Sequence, residues 1–263
     1  MKTTKAQQQA TRSRIVRAAV ELFRTQGYDA VTMKDIARAA GVGDATVYSY
    51  FATKDRLLLG FFDEAAAQAL AVTRAATGFD GYDLASRLQR LVDALLDVLE
   101  PDRAVVDMAR RMLARAPLLL LGDQLQAKQL LKAAVLDWMD AAVATGELPP
   151  TDHARAISGL LVDGLQGVVA LWLHDDSPDH ARTTQLVDQL LGLVVAMLKA
   201  GLPDRLVQLA GFVLRSHLSR LIDGWGTLHT QAPWRQAGAA AAADPAPPPP
   251  PRKAARARKA EAA

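Results

Sequence analysis

The chain has 263 residues, half of them hydrophobic, no cysteine and a formal net charge of +3. That composition allows a sizeable core and excludes disulfides and thiolate metal sites. The small net charge hides a basic head (+5 over residues 1–60), an acidic body (−5 over 61–236) and a basic tail (+3 over 237–263), a division that suits attraction to phosphate at one end.

Residues 1–10 are polar and read as a disordered basic arm with Lys2 and Lys5 able to follow a phosphate backbone. The N-terminal stretch MKTTKAQQQATRSR lacks the apolar segment of a signal peptide. No unbroken apolar run of about 18 residues occurs. The best candidate, Leu160 to Leu173, is interrupted by Asp163 and Gln166, so the expected location is the cytoplasm. Alanine and leucine dominate and β-branched runs are few, which predicts an all-α protein.

From Thr11 a helix is expected to Gln26, with Ile15, Ala18, Ala19, Leu22 and Phe23 on one face and Gly27 as its stop. Thr32 followed by Asp35 is a capping-box-like start for a second helix. Ile36, Ala37 and Ala40 give that helix a short apolar face. Gly41-Val42-Gly43 breaks it, because glycine tolerates a positive φ. A third helix follows, with Val47 and Phe51 facing inward and Thr46, Tyr48, Ser49 and Tyr50 left outside. Two short helices across a glycine turn, the second carrying hydroxyls and amphipathic aromatics, describe a helix-turn-helix over residues 11–54.

The strings DIARAAGV and TVYSYF, with Lys54 three residues beyond Phe51, resemble the TetR family of transcription regulators. The resemblance is close over residues 11–60 and architectural afterwards. It implies a homodimeric, double-stranded DNA-binding repressor with a palindromic operator and a small hydrophobic effector. The third helix would then meet base edges through Gly43, Asp44, Ala45 and Thr46. Tyr48, Tyr50 and Lys54, with Thr32 and Lys34 of the second helix, would contact phosphates, and Ser49 shares the exposed face. Gly43 and Asp44 depart from the family pattern, which more often has a capping serine and then a lysine or other polar residue. Asp44 is expected to favour the helix N-terminus through the dipole.

Residues 55–236 read as a helical regulatory and dimerisation domain. A connector is expected from Thr53 to Thr77, then helices over 82–99, 103–115, 123–145, 151–173, 179–200 and 202–222, divided by glycine and proline breakers. The 151–173 segment is apolar around its circumference and must be covered on nearly all sides. The 179–200 helix has two apolar faces: Leu186, Leu190, Val194 and Met197, and Val187, Leu191, Val195 and Leu198. The second face serves the monomer core. The first, with Leu160, Leu161, Leu165 and Val168, is expected to form a four-helix dimer interface.

The resemblance also implies a cavity in the body, for which Met108, Met112, Trp138, Trp172 and His174 are candidate lining residues. No two histidines stand at metal-ligand spacing, and no phosphate-cradling loop or nucleophile–base set is visible, so neither cofactor, metal nor enzyme is expected. Residues 237–263 (alanine, a proline run, and Arg252, Lys253, Arg256, Arg258 and Lys259) read as a disordered tail. An effector-independent regulator, an activator or a non-specific nucleoid protein stays open at this point.

Overall fold

Helix α1 (Lys5–Gln26) begins before the expected Thr11, because Thr4 and Gln7 form a capping box at its start. Thr4 Oγ1 accepts the Gln7 N–H at 3.3 Å and Gln7 Oε1 accepts the Thr4 N–H at 3.0 Å. Residues 5–10, expected as part of a disordered arm, are therefore helical. The computed structural model describes residues 4–114 and 125–209. Contacts divide the chain into Met1–Leu206 and a second unit from Val207 on. Apart from the last turn of the Leu202–Leu209 helix, everything below concerns the first unit.

The buried stripe of α1 is Ile15, Val16, Ala19, Val20 and Phe23, and Gly27 at φ 80° ends the helix. Helix α2 (Met33–Ala40) has the anticipated capping box. Thr32 accepts the Asp35 N–H, and Asp35 accepts the Thr32 N–H. The Thr32 hydroxyl, bonded to the Asp35 carboxylate at 2.6 Å, holds that carboxyl below its usual range. Gly41, at φ 63° and left-handed, closes α2 and turns the chain into α3 (Asp44–Tyr50). Val47 and Phe51 are buried, as their spacing requires.

Helix α4 (Lys54–Arg74) starts at the anticipated Thr53 cap and is buried along Leu57, Leu58, Phe61, Ala65, Ala66, Ala69 and Leu70. It packs on α1 at one end and on body helices at the other. One continuous core accordingly runs from Ile15 in the head to Leu198 in the body.

The body comprises α5 (Leu84–Leu99), α6 (Arg103–Ala114), α7 (Gln126–Ala144), α8 (Ala154–Trp172) and α9 (Ala181–Lys199), and Leu202–Leu209 is helical. The start of α5 is held by two carboxylates. Asp83 accepts from the Ser86 N–H, and Glu147, from the α7–α8 connection, accepts the Leu84 N–H at 3.1 Å. No strand occurs among the described residues. The remainder of the expected 202–222 helix, and the 237–263 tail, lie outside them.

Helix α8 is long and apolar enough to cross a bilayer by length and composition alone. Instead it packs against α7, α9 and α5, with Ile157, Val162 and Trp172 inward and Leu160 71% exposed. Its turn into α9 is built on Asp175. That carboxylate accepts the Ser177 hydroxyl and N–H and the Thr183 hydroxyl and N–H, at 2.6–3.0 Å. Asp179 and His180 just beyond adopt positive φ of 50° and 52°.

Candidate functional site

The outward surface of the head is built on α2 and α3. Val47 is fully buried, so α3 has a single orientation about its axis. That orientation places Asp44, Ala45, Tyr48 and Ser49 in solvent and leaves Thr46 and Tyr50 half-buried; Tyr48 is 53% exposed. The Ser49 hydroxyl donates to the Thr46 carbonyl at 2.7 Å, leaving its lone pairs outward. Thr32, the N-cap of α2, and Lys34 in its first turn lie exposed. Gly43 caps α3 with no side-chain hydrogen bond. Asp44 occupies the first helical position, where its charge complements the dipole. This short helix presents polar atoms and a phenol on an exposed face, as insertion into a groove requires.

Lys54 is placed differently from the other expected phosphate contacts. Its ammonium donates to the carbonyls of Tyr28 (2.7 Å) and Val31 (2.8 Å) and sits 4.4 Å from the Tyr28 ring centroid. The Tyr28 hydroxyl in turn donates to Asp55 at 2.6 Å; burial first, then that bond, pushes the phenol pKa up. Lys54 therefore ties the start of α4 to the α1–α2 turn, a role with no signal in local spacing.

A cavity of about 380 Å³ lies among α4, α5, α6, α7 and α8, within the size range of small-molecule sites. Its wall is mostly apolar: Leu59, Phe62, Leu95, Leu99, Val106, Leu131, Val162 and Val169 contribute, and the polar groups are Asp63, Arg110, Arg111, Lys128 and Gln166. Arg111 is paired with Asp107, and Lys128 with Asp163 at 2.7 Å.

None of the five residues expected to line an effector cavity borders this one. Trp138 is buried and packs edge-on against Phe79, with centroids 5.7 Å apart. Trp172, 1% exposed, donates from Nε1 to Glu100, while its carbonyl and its ring receive Arg103. His174 is exposed, with Nδ1 2.7 Å from the Ala170 carbonyl. Met108 and Met112 are half-buried against the core. Trp138 and Trp172 fill solid parts of this body, whereas the void is bounded mainly by leucine, valine and alanine, with Phe62 its one aromatic among the described residues.

The expected dimer face is divided between two environments. Leu160, Leu186 and Leu190 are exposed; Leu161, Leu165, Val168, Val194 and Met197 are half-buried, and Leu165 also lines the cavity. Leu193, 59% exposed, and Leu171, 47% exposed, belong to the open surface but were not anticipated. The outer stripe of α9 is thus Leu186, Leu190, Leu193 and Met197, at intervals of four, three and four, a helical repeat that could have been read. Beside it, Cβ atoms added at Gly164, Gly167 or Gly192 would meet nothing within 4 Å.

A three-helix head with an exposed recognition helix, carried on a larger helical body with an apolar cavity, defines a helix-turn-helix transcription regulator. The bacterial tetR-family regulatory protein profile matches residues 15–60, and the tetracyclin repressor-like C-terminal domain profile matches residues 87–213. The chain belongs to the TetR family of DNA-binding transcriptional regulators. It is 25% identical to the HTH-type transcriptional regulator UidR of Escherichia coli K12 over 201 residues, 76% of this chain and 99% of UidR. It is 26% identical to TtgR of Pseudomonas putida over 180 residues, 66% of this chain and 85% of TtgR. Among solved structures, Thermus thermophilus FadR, a TetR-family repressor in complex with lauroyl-CoA, superposes with a TM-score of 0.51 at 23% identity, covering 68% of this chain and 92% of that one.

Proposed function

We propose that the protein is a homodimeric repressor that binds a palindromic operator in the cytoplasm, without catalysing a reaction, and is released when a small hydrophobic effector fills the cavity among α4–α8. The observation that carries this reading is the position of that void: its wall includes α4, the helix on which the DNA-binding head is mounted. Supporting the dimer are the exposed leucines of α8 and α9 and the bare Gly164, Gly167 and Gly192 beside them. Burying such a face against its own copy would place two recognition helices on one side of a duplex. In this reading Gly43, Asp44, Ala45 and Thr46 meet base edges in the major groove, and Tyr48, Tyr50, Thr32 and Lys34 contact phosphates, with Ser49 on the same face.

The test is selection of bound DNA from a random pool, followed by scrambling one half of the recovered palindrome. A sequence-reading dimer loses most of its affinity, whereas a protein that coats DNA loses little. Effector release is then read as weakened operator binding across a panel of hydrophobic compounds. Acyl chains belong in the first panel because Thermus thermophilus FadR was solved with lauroyl-CoA. Unchanged operator affinity across the panel would refute release by a hydrophobic effector.

A further inference from the structure

We propose that Asp63 and Arg12 form the joint through which filling of the cavity is transmitted to the recognition helix. This rests on the reading of the cavity as the effector site. Asp63, on α4, is part of the cavity wall. One carboxylate oxygen accepts the N–H of Ala127 at 2.8 Å, in the first turn of α7, and Ala127 lines the same cavity. The other oxygen accepts Arg12 Nη2 of α1 at 3.0 Å. The Arg12 guanidinium lies 5.3 Å from the ring centroid of Phe51, the residue that ends the recognition helix α3. Beneath both is Gly60, where a Cβ would stand 2.7 Å from Phe51 Cε1 and 3.3 Å from Arg12 Nη2. The cavity wall and the recognition helix are thus two side chains apart, over the one position of α4 that has no side chain of its own.

Apolar contacts between α1 and α4 tolerate small sliding, but a charge-assisted hydrogen bond is short and directional. A ligand that spreads α4 from α7 makes the single Asp63 carboxylate choose between Ala127 and Arg12. Arg12 has a second acceptor within reach: its Nη1 is 3.3 Å from Glu64 Oε1, which the Ser13 hydroxyl also holds at 2.9 Å. The structure holds both bonds at once; release of Asp63 would leave the guanidinium on Glu64 alone, and in this proposal that second arrangement draws it away from Phe51. An element with two arrangements that both sites bias is what coupling requires.

The experiment fills the cavity from within. Ala66→Leu places extra methyl groups in the void from α4, and Val162→Phe does so from α8. Each is made in the natural chain, in Asp63→Asn and in Arg12→Gln, and the affinity for the selected operator is measured at fixed salt. Thermal melts identify any variant that fails to fold, and the two fillers substitute for one another. The expected result is that filling weakens operator binding about tenfold in the natural chain, within the range of ordinary allosteric coupling. In the Asp63→Asn and Arg12→Gln backgrounds it does so less than about twofold, a non-additivity that two independent structural defects do not produce. An equal loss in all three backgrounds overturns the joint and leaves effector release standing. No loss on filling the natural chain overturns effector release and the joint together.

Discussion

At the scale of single residues, two lysines of the head are put to different uses. Lys34 is exposed with its ammonium in solvent, whereas Lys54 donates to the Tyr28 and Val31 carbonyls. Lys34→Ala is expected to leave stability unchanged and to reduce the slope of log affinity against log salt by about 1, as loss of one phosphate contact does. Lys54→Met is expected to leave that slope nearly intact and to cost about 1–2 kcal/mol of stability, because two carbonyls lose a charged donor. Equilibrium denaturation and salt titrations of DNA binding, run on both variants, separate the two roles; a full unit of slope lost in Lys54→Met would contradict them. Gly60 offers a second check. A Cβ there adds up to about 1 kcal/mol of helix propensity, but overpacking against the Phe51 ring costs about 1–3 kcal/mol. Gly60→Ala should therefore lower the unfolding midpoint, and an unchanged or raised midpoint would show that the ring yields freely.

At the scale of elements, the helices end where local chemistry ends them, and the α8–α9 turn depends on one carboxylate. Donation from Ser177, joined by Thr183, holds the Asp175 carboxyl below the usual carboxylate range against the opposing effect of burial. A folded-state pKa below the unfolded value means that the stabilisation is present above about pH 4 and is lost as the pH falls through the folded value. Asp175→Asn should accordingly be less stable than the natural chain at neutral pH, with the difference shrinking as the pH is lowered from about 5 towards 3. Unfolding midpoints of both chains across that range provide the measurement; a difference independent of pH would assign the turn's stability to packing instead.

For the whole molecule, α8 and α9 leave Leu160, Leu171, Leu186, Leu190 and Leu193 exposed, the face on which the proposed dimer would close. Leu160→Glu and Leu193→Glu together replace two exposed side chains, so the fold should persist by circular dichroism. Light scattering should then report a monomer, and operator affinity should fall by at least about tenfold, since each head is left to bind alone. A double variant that remains dimeric would place the interface elsewhere.

The sequence by itself determined the helices of the head, their caps at Thr32, Thr53 and Gly41, the inward Val47 and Phe51, and membership of an all-α regulator family. These are all governed by neighbours within about four residues, where hydrogen bonds to orphan amides and the 3.6-residue period act directly. The capping box of Thr4 and Gln7 was equally legible there and extends α1 into the supposed arm. Tertiary structure alone decided which side chains border the void, why Trp138 and Trp172 are solid core, and that Lys54 is bound to carbonyls. It also decided that Arg12 meets both Asp63 and Phe51. A cavity bounded by five helices, or a carboxylate shared by α1 and α7, depends on residues more than 50 positions apart, and no periodicity along one helix records how its neighbours will be placed.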